Sequence, residues 1–269
     1  MSLRSRESDS VKTAAELFSA SFEGDYEDEQ PWDAVGVLRR RNSDEVFQLA
    51  AAYCRSDMSI HRARALDVLA QLGAGRPLSE RPHFSESVAL AVARLRDEDP
   101  LVVHSAAWAL AHLNDSIAVA ALIEIRKHHD PDVRQAVAVG MANSQRAEAI
   151  STLMELMEDG SDEVRNWATF ELGMAYVDDR SQLGTLDSSE IRDALSKRLN
   201  DSFSEVRAEA IWGLARRRDR TGLRLLLELL DGEERANGDE MTAAEILDRE
   251  YDAPVEDLRK GLQSLIDAT

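Results

Sequence analysis

The densest group of potential metal ligands in the chain is His128-His129-Asp130, with Asp132 two residues further on. Imidazoles and carboxylates at this density are the donor types of zinc sites. Neighbouring histidines diverge in direction, however, and Asp130-Pro131 reads as the turn before a helix, so the group is assigned to a turn. His104, Trp108 and His112 share one helix face. Their two imidazoles are eight residues apart, about 12 Å at the helical rise, too far to share one ion. The sequence holds no HExxH, CxxC, Walker loop or GxSxG, and no GxGxxG after a strand. No catalytic constellation, metal or cofactor is therefore expected. Arg39-Arg40-Arg41 and Arg216-Arg217-Arg218 end helical patterns, where cations meet exposed carbonyls, so both are assigned to helix capping rather than to phosphate binding.

The elements that would position these residues are set by repetition. The triplets Val102/Ala106/Leu110, Val133/Val137/Met141, Val164/Ala168/Leu172 and Val206/Ala210/Leu214 recur with two weaker copies, His61/Ala65/Leu69 and Gln30/Ala34/Leu38. Their first members are separated by 31, 41, 31, 31 and 42 residues. Spacings of four put each triplet on one helix face. Asp99 and Asp130, each followed by Pro, signal helix starts. A second amphipathic run precedes or follows each triplet: Ser43 to Tyr53, Ser85 to Leu95, Ile117 to Arg126, Ala147 to Met157, Ser188 to Leu199 and Thr221 to Leu230. Neither helix of such a pair can bury its stripe alone. The expected fold is therefore all-α, a right-handed α-solenoid of about six two-helix repeats. Residues 1–10 read as a flexible tail and 11–269 as one solenoid domain. Two helices near Thr242 to Glu250 and Pro254 to Ile266 are expected to cap its C-terminal end, and residues 73–83 and 177–186 read as inserted loops.

With the first apolar residue of each triplet as position zero, positions 0, 4, 5 and 8 form the buried face and position 6 points the opposite way. Position 6 holds Gly36, Asp67, Trp108, Val139, Phe170 and Trp212. Position 2 adds Trp32, His104, Gln135 and Asn166, and position 10 adds His112, Asn143, Met174 and Arg216. Rows of aromatic rings on an outward face match the anchors of protein interfaces. The residues expected to bind a partner on the inner curve are Trp32, His104, Trp108, His112, Val139, Asn166, Phe170, Met174 and Trp212. Trp167 is assigned to internal packing.

Charge says what that partner carries. The 269 residues include 32 Lys+Arg and 51 Asp+Glu, a net charge of −19. Such a field disfavours nucleic acid and favours a protein with a basic surface. No apolar stretch reaches membrane-spanning length. The lone Cys54 and a start without a secretory pattern point to the cytoplasm.

The segments Asp130-Pro131-Asp132-Val133-Arg134, Ser161-Asp162-Glu163-Val164-Arg165 and Ser204-Glu205-Val206-Arg207, each with its later Ala or Val and Leu or Met, resemble the HEAT repeat in its short, phycobilisome-lyase-related form. The stretch from Glu163 through Arg216 is similar to a group of bacterial HEAT proteins, some encoded beside Rhs-type polymorphic toxins and proposed as immunity proteins. The resemblance implies an Asp–Arg ladder between repeats, with Arg62, Arg134, Arg165 and Arg207 in the Arg slot and a rung missing at Val103. It also implies a non-enzymatic scaffold that binds protein. A bilin-lyase-like protein and a HEAT-type DNA glycosylase are the alternatives, the latter at odds with the acidic charge.

Overall fold

A computed structural model describes residues 12–41, 43–77, 80–113, 115–142, 144, 146–175, 187–232 and 236–268. All regular structure among them is helical. The expected tail and the 177–186 insertion lie outside the described residues. The helices gather into two compact units, residues 1–140 and 141–269.

The first unit contains α1 (Ala14–Ser21), α2 (Glu29–Arg41), α3 (Asp44–Tyr53), α4 (Ser59–Ala70), α5 (Phe84–Arg94), α6 (Pro100–Leu113), α7 (Ser116–Glu124) and α8 (Pro131–Gly140). The motif helices α2, α4, α6 and α8 pack side by side, with α3, α5 and α7 as their hairpin partners. Small residues allow this: Ala63, Ala65, Ala106, Ala107, Ala109 and Ala136 are fully buried where α4, α6 and α8 approach. Helix α1 carries no repeat motif. It forms behind a capping box in which Thr13 accepts from the Glu16 N–H while the Glu16 carboxylate accepts from the Thr13 N–H.

The second unit contains α9 (Ala147–Leu156), α10 (Asp162–Met174), α11 (Ser189–Arg198), α12 (Ser204–Arg216), α13 (Arg220–Asp231), α14 (Asn237–Leu247) and α15 (Val255–Ala268). Motif helices α10 and α12 meet at Gly173 and Gly213, where a Cβ on Gly213 would lie 2.9 Å from the Gly173 Cα. Leu223, Leu226 and Leu230 of α13 face Leu258, Leu262 and Ile266 of α15 in a closed apolar cluster. Helix α14 starts five residues before the position expected from sequence. Asp239 accepts the Ala236 N–H there and satisfies a donor at the new helix start.

Turns between hairpins are held as the ladder predicts. Arg62 grips Asp97 through two bonds of 2.9 and 2.7 Å, and Arg165 grips Asp201 through bonds of 2.9 and 2.8 Å. Each Arg also donates to carbonyls five or six residues back: Arg62 to Ser56 and Asp57, Arg134 to His128 and His129, Arg165 to Asp159, Arg207 to Asp201 and Ser202. One guanidinium thus closes its own turn and, where Asp97 or Asp201 faces it, pins the next. Position 103 carries a buried valine and has no guanidinium to offer.

Of the two arginine runs, Arg39 and Arg217 reach helix-end carbonyls, both on a neighbouring helix, whereas Arg41 donates to the Lys12 carbonyl and Arg216 to the Glu245 and Thr242 side chains. Arg39 ends α2 but donates at 2.9 and 2.7 Å to the Asp67 carbonyl in the last turn of α4. Arg217 donates to its own helix at Gly213 and also to Leu172 and Gly173 at the end of α10. A long side chain at one helix end reaches the open carbonyls of the next motif helix because those helices run side by side.

Candidate functional site

Two places bring chemically capable side chains together, one in each unit. In the first, α4 carries Arg64 and Asp67 in an otherwise apolar stretch; Arg64 is 0% and Asp67 5% exposed. Arg64 donates to the Ser21 and Tyr26 carbonyls at 3.0 and 2.6 Å, and its guanidinium lies 4.1 Å from the Tyr26 ring centre and 4.7 Å from that of Trp32. The Tyr26 hydroxyl donates to both Asp67 oxygens at 3.0 and 2.8 Å. Ser105 stands 2.9 Å from that hydroxyl and, because its one proton goes to Asp67, is the donor of the pair. The cluster straps the loop before α2 onto α4 and α6. Burial pushes the Tyr26 phenol and the Asp67 carboxyl up from their usual ranges, while Tyr26, Arg64 and Arg39 pull Asp67 back.

Beside this cluster opens a pocket of about 260 Å³, walled by Trp32, Arg39, Gln71, His104, Trp108 and His112. Arg39 sits 5.7 Å from the Trp32 ring, and burial lowers its pKa. Burial, with Arg39 nearby, holds the His112 imidazole below its usual range, so it stays neutral. The pocket presents two indoles, the imidazoles of His104 and His112, one guanidinium, and the Tyr26, Asp67 and Glu27 side chains. It has the character of a receptor for side chains. Tyr26 and Asp67 of the buried cluster also reach its wall, where the phenol proton is already committed to the carboxylate. Trp32, His104, Trp108 and His112, four of the residues chosen from sequence, converge here.

The second place is a cavity of about 440 Å³ against α10 and α12, lined by Asn166, Glu209, Ile211, Trp212, Leu229 and Asp239, among others. Trp212 is half-buried. Its N–H donates to Asp239 at 2.9 Å, and its six-membered ring packs on Gly238, where a Cβ would come within 2.4 Å of Cη2. Expected from sequence to stand open to a partner, this ring is instead partly claimed by α14. An outward helix face at the end of a repeat array needs a cover, and α14 supplies it. Phe170 stacks edge-on against Trp167 at 5.7 Å and Met174 is exposed. Val139 on α8 is half-buried. Neither Phe170, Met174 nor Val139 lines either pocket. Position 6 as a whole is less open than its direction implies: Asp67 is buried and the aromatic members are half-buried, since motif helices touch one another as well as their hairpin partners.

Sequence reasoning passed over Tyr26, Arg64, Glu171 and Glu209. A visible signal existed for the second and third, which are charges set among core positions of motif helices. In the His128-His129 turn, the rings lie 4.3 Å apart and His128 accepts the Asp130 N–H. Among the described residues, no three His, Cys, Asp or Glu side chains converge as a metal-holding group. No described helix is long and apolar enough to cross a membrane.

Side-by-side helical hairpins, turns pinned by an Asp–Arg ladder and pockets on the motif helices define a repeat scaffold of the HEAT class. The chain belongs to the HEAT repeats family, whose pattern it matches over residues 88–173 and 181–263. It is similar to Protein YibA of Escherichia coli, strain K12, at 34% identity over 99 residues; the match covers 37% of this chain and about a third (32%) of the relative. The X-ray structure of Escherichia coli YibA superimposes with a TM-score of 0.66 at 23% identity, over 97% of this chain and 93% of the other. A designed armadillo repeat protein in complex with the peptide (KR)4 gives a TM-score of 0.53 at 17% identity, over 76% of this chain and 99% of that one. The CpcE–CpcF complex of phycocyanin lyase from Nostoc sp. PCC7120 gives 0.51 at 15%, over 96% and 94%. At these identities the structural likenesses establish the fold.

Proposed function

We propose that this protein is a non-enzymatic binding module of the cytoplasm, which holds another protein against its motif helices. In its most specific form it is an immunity-type protein that neutralises a toxin by occupying one of its surfaces. The observation that carries the reading is the convergence of Trp32, His104, Trp108 and His112 on one open pocket beside a rigid buried cluster. Aromatic rings on a fixed frame supply contact area at little entropic cost, which is how interface anchors work. The net charge of −19 favours a basic partner by speeding encounter, while the rings govern residence time. The (KR)4 peptide held by an armadillo protein of similar fold supports the same partner chemistry. A bilin-handling role shares only the fold with the phycocyanin lyase subunits.

The test is affinity purification from the native host with the wild-type chain and with a Trp32→Ala/Trp108→Ala double variant. Circular dichroism first confirms that the variant is folded. A protein that co-elutes with wild type and is lost with the variant is the expected result. Equal retention by a folded variant contradicts the proposed surface.

A further inference from the structure

Helices α10 and α12 contain a second polar feature whose chemistry differs from that of the first pocket. Glu171 of α10 is only 7% exposed and Glu209 of α12 is half-buried. Among the described residues, no hydrogen bond or ion pair reaches either carboxylate. Burial pushes both carboxyls up to about 7; Glu209 adds its repulsion to Glu171, while Arg216 opposes the rise at Glu209. A carboxylate largely withdrawn from water without a partner is costly to ionise, so a pair of them on facing helices calls for an explanation. In the cavity that Glu209 lines, the Asn166 side-chain oxygen is also buried and unpaired. It lies one helical turn before Phe170 and five residues before Glu171. Three carboxylates, Glu205, Glu209 and Asp239, line the cavity against one cation, Arg207, whose Nη1 is already turned to the Asp201 and Ser202 carbonyls. Trp212, one turn beyond Glu209 on the same face, adds an aromatic wall, and Ile211 and Leu229 add apolar ones.

We propose that the α10–α12 cavity is a receptor for one cationic side chain, the guanidinium or ammonium of an arginine or lysine presented by a protein partner. The cation pairs with Glu209, is reinforced by the charge of Glu171 and lays its alkyl stem along Trp212, Ile211 and Leu229. The incoming charge offsets the repulsion that two confined carboxylates otherwise suffer, and the indole face favours it again. Charge complementarity selects this occupant: an anion meets two carboxylates, and a neutral side chain leaves both uncompensated. The site is separate from the first-unit pocket. It rests on the proposed binding function only in taking its ligand from a protein.

The probe is an octapeptide of alternating lysine and arginine, with an octapeptide of alternating glutamine and citrulline as the neutral control. Both are titrated into the full chain at low salt. Wild type is expected to bind the cationic probe and ignore the neutral one. Glu171→Gln/Glu209→Gln is expected to weaken binding at least tenfold with its melting transition retained. A charge-matched variant at exposed positions, Glu250→Gln/Asp252→Asn, is expected to change binding less than threefold. Equal losses in the two charge variants mean that a diffuse acidic field binds the probe, which overturns the cavity. Loss in Trp32→Ala/Trp108→Ala with full binding in Glu171→Gln/Glu209→Gln places the cation in the first unit and overturns it too. Should the native partner fail to depend on Trp32 and Trp108 while the probe still follows Glu209, the function proposed above fails and this receptor stands.

Discussion

At the scale of single residues, the protein confines charges in two different ways. Asp67 is surrounded by donors, with Tyr26 and Arg64 bonding its oxygens. Removing Arg64 strands that carboxylate in the interior, and loss of one partner from a buried pair costs about 3–5 kcal/mol. Arg64→Leu is therefore expected to lower the urea midpoint sharply, whereas a change within experimental error would mean the cluster contributes no net stability. Glu171 and Glu209 lack such donors and titrate near 7 instead. Both folded values lie above the ordinary 4.5, so the folded state binds more protons between about 4.5 and 7 and stability falls as pH rises through that window. Of the other charges on or against these helices, Arg216 pairs with Glu245, Asp239 accepts from Trp212, and Arg165 is held by Asp162 and Asp201. Arg207 donates to the Asp201 and Ser202 carbonyls, while Glu205 accepts from Ser204. Glu171→Gln is expected to raise stability at pH 8 by about 1 kcal/mol, after solvent screening, and to flatten the pH profile. A variant that melts earlier at pH 8 contradicts this. Little of either cluster is legible in the sequence. Tyr26 and Asp67 are 41 residues apart, and no local spacing announces a contact made by stacking one helix on another. The legible trace is weaker: Arg64, Asp67 and Glu171 are charges where a motif helix otherwise buries apolar groups.

At the scale of elements, the repeat motif specifies both helix and turn. The triplets, the Asp-Pro starts and the Arg slot mark α4, α6, α8, α10 and α12 to within a few residues, because each feature is local in the chain. Helix α1 carries none of them and is invisible to that reading. Trp212 was expected to be open, and its contact with Gly238 depends on where the chain returns after α13, which periodicity does not encode. Gly173 and Gly213 set how closely α10 and α12 approach. An alanine at 213 gains about 1 kcal/mol of helix propensity, but its Cβ meets backbone at 2.9 Å and Leu195 at 3.2 Å. Overpacking of this kind costs about 1–3 kcal/mol and wins. Gly213→Ala is expected to reduce the urea midpoint, and an increase would show that the two helices can move apart freely.

At the scale of the whole chain, an acidic repeat scaffold carries pockets on its motif helices, which the proposed function fills with side chains of another protein. The hairpin partners offer a competing surface. An apolar recess of about 360 Å³ on α5 and α7, next to the exposed Ile117, could receive a partner instead. Fold class and the two indoles of the first pocket follow from repetition in the sequence; the identity of what docks there depends on surfaces that only a complex displays. Hydroxyl-radical footprinting of the chain, alone and with its co-purified partner, separates these surfaces directly. The account predicts that oxidation of Trp32 and Trp108 falls several-fold in the complex while Met58, which is 57% exposed, reacts as before. Unchanged oxidation of both tryptophans, with protection confined to Ile117 and its neighbours, would contradict binding through the motif helices.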